Sequence, residues 1–200
     1  MRLTLVAAAR GTGPRTPWFP DDTAIAPMQS PDRVSSDRLS ARDRAAPAYR
    51  GPERRVGGTA ALLDVDAQCV DALRSWDAGS WTGREIDGVA RIEPAAFRCW
   101  RVDASFAPPG GESLDGFLGR VSSWLEHIAA EDGRVLVVAD STAVTAAVVY
   151  ALAAPAETFW HLDVSPLTTA RLHASGGTWR LRWLRAPLET LDDRSNNEDR

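Results

Sequence analysis

The chain has 200 residues, 44% of them hydrophobic and 25% charged, and a formal net charge of −4. That composition is globular, suffices for one domain with a sizeable core, and lacks the basic balance of a nucleic-acid binder. All 23 basic residues are arginine, which excludes a P-loop lysine, a Schiff-base lysine and a lysine general base.

Residues 2–9 (RLTLVAAA) open the pattern. The apolar run is too short for a secretory signal of about 15–30 residues, so it predicts a buried first strand. No window approaches the ~18 apolar residues of a membrane span. Residues 10–58 hold seven of the thirteen prolines and nine arginines. Proline bars regular helix and central strand, so this segment is expected to be mostly loop, with a short helix near 35–45. Residues 56–63 predict another short helix.

The second half is more regular. From Leu114 the apolar residues Phe117, Leu118, Val121, Trp124, Leu125, Ile128 and Ala129 recur at helical spacing, with Glu112 or Ser113 as the cap. Residues 135–139 (VLVVA) predict a strand covered on both faces. A helix over 143–153 follows and stops at Pro155. Strands near 167–174 and 178–184 are joined by a Ser175-Gly176-Gly177 turn. Residues 186–200 read as an acidic tail with little to bury. Helix, buried strand, helix is the order of a layered α/β domain.

Cysteine and histidine patterns carry no catalytic or metal signature. Cys69 and Cys99 lack metal or redox spacing and are expected as buried thiols in a reducing, cytoplasmic setting. His127 falls on the polar side of the long helix, and His161 is expected to be a partly buried packing residue. Asp64 and Asp66 read as turn carboxylates, and Trp81 as an aromatic plug between tight turns. No metal site and no cofactor are expected.

Five stretches occur in a telling order: RLTLV at the start; Gly51-Pro52-Glu53-Arg54-Arg55 followed by Thr59-Ala60; LRSWDAGSWTG over 73–83; Pro109-Gly110-Gly111-Glu112-Ser113; and VLVVADSTAVTAAVVYAL from Val135. Together they resemble the histidine phosphatase (phosphoglycerate mutase-like) superfamily across residues 2–184, with a C-terminal half similar to its compact actinobacterial members. The resemblance implies a three-layer α/β sandwich with a mostly parallel central sheet, in a single domain over residues 1–185.

The implied chemistry is altered. In the family an R-H-G motif after the first strand supplies a phosphate-binding arginine and the nucleophilic histidine; those positions fall on Ala7, Ala8 and Ala9. The general-acid glutamate falls on Ser75, and the second histidine on Asp140. Of the pocket's main groups only Arg55 is kept. Alanine offers no nucleophile, and a carboxylate ~4 Å from a phosphoryl charge opposes it by roughly 4 kcal/mol at an effective dielectric near 20.

The ligand-binding candidates are therefore Arg55, Asp140, Arg10, Arg15 and Glu112. Arg10 and Arg15 follow the first strand, where either would replace a lost phosphate ligand by swinging back. Two arrangements of Arg55 and Asp140 stay open: an ion pair filling the pocket from within, or a collapsed pocket with Asp140 solvated at the strand end. Two functions stay open as well. One is a pseudoenzyme binding a phosphorylated or other anionic small molecule, or a protein partner. The other is a residual or repurposed enzyme acting on an anionic small molecule through Asp140 and Arg55. Neither involves nucleic acid or a membrane. Whether residues 14–50 form a lid is left open.

Overall fold

Two apolar runs, each buried on both sides, set the centre of the molecule. In a computed structural model describing residues 1–12, 17–19, 21–22, 39–130 and 132–185, they form β1 (Arg2–Ala7) and β4 (Arg134–Ala139), paired in parallel with Ala7 opposite Ala139. β2 (Ala48–Arg50) and β3 (Gln68–Cys69) extend the sheet in parallel on the β4 side. β5 (Thr169–Ser175) and β6 (Thr178–Arg185) add an antiparallel ribbon beside β1. The six-strand order is β3-β2-β4-β1-β5-β6. Three of its five pairings are parallel, in keeping with the mostly parallel α/β sheet expected.

Helices cover the two faces. Successive strand residues point to opposite sides, so Leu3, Leu5, Ala7, Val135, Val137 and Ala139 share a core with α5 (Leu114–Ala129) and α6 (Ser141–Ala151). Val6, Ala8, Leu136 and Val138 face the other way, against Val56, Ala60 and Leu63 at α2 (Arg54–Leu62). α5 presents Leu114, Phe117, Val121, Leu125 and Ile128 inward, the stripe read from the sequence. Ser113 caps it by accepting the Gly116 N–H at 3.1 Å. α6 is apolar nearly all round and buried nearly all round, as its position between sheet and α5 requires.

A third cluster stands apart from the sheet. It consists of Phe19, Ala78, Trp81, Val89 and Trp100 and is built on α3 (Ile86–Ile92) and α4 (Pro94–Val102). Trp81 is fully buried, as a plug should be. Burying a tryptophan removes roughly 150–250 Å² from water, worth ~4–6 kcal/mol at ~25 cal/mol per Å².

Several expectations need correction. β2 lies inside the sheet, although its segment reads as loop: Pro47 stands just before the strand, and its carbonyl still accepts from the Leu136 N–H at 3.0 Å. The helix expected near 35–45 is shorter than read: α1 (Ala41–Arg44) begins after Ser40, whose side chain caps it by accepting the Asp43 N–H, and positions 35–38 lie outside the described residues. Cys69 and Cys99 are exposed, not buried, because one sits on the short outer strand β3 and the other on the outer side of α4. His161 is exposed at the end of a 3-10 turn, Ala156–His161, whose buried residue is Phe159. Residues 186–200 and most of 14–38 lie outside the described residues.

Candidate functional site

The parallel register of β1 and β4 decides what meets at their C-terminal ends. Because Ala7 pairs with Ala139, the next residues, Ala8 and Asp140, leave the sheet side by side. Ala8 is 3% exposed and packs with Val56 and Ala60 of α2. The Ala9 N–H donates to Thr59 Oγ1 at 2.9 Å, and that hydroxyl donates to the Arg55 carbonyl at 2.7 Å. The strand exit is thus tied to α2 through one threonine, and methyl groups occupy the ground beneath it.

Asp140 is 2% exposed. It is the N-cap of α6, where a carboxylate suits the unpaired N–H groups and the helix dipole. Its Oδ1 accepts from the Thr142 N–H at 2.9 Å and from the Thr142 hydroxyl. Its Oδ2 takes the Arg55 guanidinium in an ion pair. Arg55 stands in the first turn of α2, and its side chain is 15% exposed. The structure therefore realises the first of the two arrangements left open by the sequence: the pair fills the site from within.

A cavity of about 300 Å³, whose chemistry the sequence reading missed, reaches Glu53, the residue before α2, and the loop of Ser75 and Trp76. Four carboxylates line it, those of Asp21, Asp22, Glu53 and Asp77, and among the described residues Arg74 is its one cation. Glu53 Oε1 accepts from the Ser75 N–H, while its Oε2 is buried without a hydrogen-bond partner among the described residues. Gly51 makes this approach feasible: a Cβ there would sit 2.6 Å from Glu53 Oε2 and 2.8 Å from the Leu73 carbonyl. Glu53 thus brings a carboxyl group against Ser75 from the other side of the site. The signal was present in the sequence only as an unremarkable residue inside the Gly51–Arg55 stretch.

The other candidates scatter. Glu112 gives both carboxylate oxygens to Arg120, at 3.0 and 2.7 Å. Arg120 in turn donates to the carbonyls of Ala72 and Arg74. Glu112 therefore braces the loop that carries Ser75 and is absent from the cavity lining. Arg10 is exposed, with no hydrogen bond or ion pair among the described residues. Arg15 lies outside the described residues. The Trp76 N–H faces Thr142 Oγ1 at 3.4 Å, and its indole N–H donates to the Glu112 carbonyl at 2.8 Å, linking loop, α5 cap and α6 cap. The three histidines are elsewhere: His127 and His161 are exposed, and His173 lies on β5 across from Arg2. Among the described residues no group of three His, Cys, Asp or Glu side chains is arranged to hold a metal ion.

This fold has known counterparts. The family model of the histidine phosphatase superfamily (branch 1) matches residues 34–187, and the chain belongs to that superfamily. Among solved structures, the mycobacterial glucosyl-3-phosphoglycerate phosphatase Rv2419c is similar with a TM-score of 0.76 at 21% identity, covering 90% of this chain and 96% of that one. The alpha-ribazole phosphatase from Shigella flexneri gives a TM-score of 0.76 at 17% identity, covering 94% and 97%. At such identities the likeness is one of fold. The "Bifunctional protein Rv2228c" of Mycobacterium tuberculosis is 33% identical over 137 residues, 66% of this chain but 37% of that protein. The chain thus spans little more than a third of the length of the curated relatives it matches.

Proposed function

We propose that this chain is a degenerate histidine phosphatase-like protein, without phosphohydrolase activity, that serves as a pseudoenzyme binding an anionic small molecule or a protein partner. The observation that carries the reading is the Arg55–Asp140 ion pair. The one arginine retained from the pocket is consumed by a carboxylate standing where the resemblance puts the second histidine. Ala8, at the nucleophile's position, is a packed methyl group with no lone pair to attack phosphorus. Phosphoryl transfer depends on positioned donors that neutralise the equatorial oxygens; here the cavity that reaches Glu53 and Ser75 is lined by carboxylates instead.

A second reading rests on Glu53. Its unpartnered Oε2 beside Ser75 restores a carboxyl group near the position of the lost general acid. In that reading Asp140 and Arg55 separate when an anionic substrate arrives, Arg55 takes the anion and Asp140 acts as base or nucleophile.

The test is hydrolysis of a generic aryl phosphate by the full chain, with and without Mg²⁺, beside Arg55→Ala. The expected outcome is no turnover above the variant in either condition. Turnover that disappears in Arg55→Ala, and also in Glu53→Gln, would establish the second reading instead.

A further inference from the structure

The opposite end of the sheet carries a second, unrelated concentration of charge. Arg2 and Arg134 open β1 and β4 and are paired across them, and His173 faces Arg2 from β5. They lie five residues along the strands from Ala7 and Ala139, ~17 Å at ~3.3 Å per residue. Together with Arg171, Leu172 and Arg182 they line a cavity of about 280 Å³. That is near the small end of ligand clefts, ~300–1,000 Å³.

We propose that this cavity is a binding site for an oligophosphate, an anion with two or more linked phosphoryl groups. Four guanidinium groups converge on it in a protein whose net charge is −4, so the positive field is local and opposed by the rest of the molecule. Two of the four are held in place. Asp43 is 3% exposed and takes Arg171 at 2.6 Å and Arg134 at 3.6 Å. Asp43 is itself fixed by Ser40 at 2.6 Å and Thr4 at 3.3 Å. One carboxylate therefore orients two cations while cancelling the charge of one, and a surplus of three remains.

The other two are unpaired. The guanidinium groups of Arg2 and Arg182 make no ion pair or hydrogen bond among the described residues. Arg182 lies at a β-bulge: Arg171 pairs with Trp183 and Leu172 with Leu181, leaving Arg182 without a partner across the ladder. Bulges re-aim side chains, and this one adds a fourth guanidinium to the cavity. Arg171 also retains a buried Nε without a partner, a donor that a ligand oxygen would satisfy. Guanidinium forks match phosphate oxygens two at a time. A surplus of three charges suits linked phosphates better than a single one.

Titration calorimetry of the full chain at physiological salt tests this, with tripolyphosphate, orthophosphate and a single-stranded oligonucleotide as probes. Tripolyphosphate is expected to bind one to one, at least tenfold more tightly than orthophosphate. Arg2→Gln/Arg182→Gln is expected to weaken it at least tenfold. Neither residue holds an ion pair, so the melting temperature of that variant in the absence of ligand should be unchanged. Arg98→Gln, an exposed charge on α4, should leave the affinity as it is. The proposal is overturned by equal affinity for orthophosphate, by an equal loss in Arg98→Gln, or by preference for the oligonucleotide. Loss of binding in Arg55→Ala would place the ligand at the other end of the sheet and overturn it too.

Discussion

Asp140 does two jobs with one carboxylate: it caps α6 and holds Arg55. Asp140→Asn keeps the cap acceptor and removes the charge, leaving a largely buried guanidinium unpaired. Breaking a buried pair from one side costs about 3–5 kcal/mol; with Arg55 15% exposed, the lower end of that range is expected in urea denaturation. Asp140→Ala also loses the cap, for about 1 kcal/mol more. Arg55→Met combined with Asp140→Asn should recover most of the loss, since replacing both members of a buried pair by groups of similar volume is often neutral. The sequence offered this meeting as one of two arrangements, because the family resemblance put both residues at the same pocket but not in contact. The position of Glu53 was not legible. Nothing in Gly51-Pro52-Glu53 says that the middle loop will fold back until its carboxyl touches Ser75, a contact set by the absence of a Cβ at Gly51.

Among the elements, α5, β4 and α6 were readable because their burial is dictated by their own periodicity. α3 and α4 were not anticipated. Their apolar residues pack on Phe19 and Trp81, far from them in sequence or in loops, so no local period announces them. Glu93 links the two helices to the plug: it accepts from Arg84 at 2.6 Å and from the Trp81 indole N–H at 3.0 Å. The Arg84 hydrogen bond, followed by that of Trp81, holds its carboxyl below the ordinary value of 4.5. A depressed folded-state pKa means the unfolded chain binds the proton more readily. The contribution is therefore present above about pH 4.5 and lost as pH falls through the folded value. Glu93→Gln should flatten the acid side of the melting-temperature profile while barely altering its slope above pH 6. An unchanged acid limb would show that Glu93 adds no pH-dependent stability. Gly79, with φ of +54° and a would-be Cβ 2.4 Å from the Gly111 nitrogen and the Pro109 carbonyl, holds the plug's loop against the turn before α5.

At the scale of the whole molecule, the α3–α4 cluster joins the main core through the shared rings of Trp76 and Trp160. Trp100 lies 5.3 Å from Trp76 and 4.7 Å from Trp160. A cluster joined through so few rings should open before the sheet does. Native-state hydrogen exchange is expected to show α3 and α4 amides exchanging by local opening, while β1, β4 and α6 exchange only on global unfolding; one common rate would refute it. The layered α/β plan was legible from the order of its segments. The charge layout was not, because it depends on strand register, which brings Arg2, Arg134, Arg171 and Arg182 to one cavity from four strands. Register has a further effect on β6. Among the described residues it is the outermost strand on its side of the sheet, and strands so placed offer unpaired backbone to other chains. In WRLRWLR the arginines at 180, 182 and 185 and the bulge across from Arg171 put repelling charge and an irregular ladder along that rim. Two copies brought together there would meet like charge before any backbone could zip, so the ribbon that ends the sheet also guards the molecule against polymerising through it.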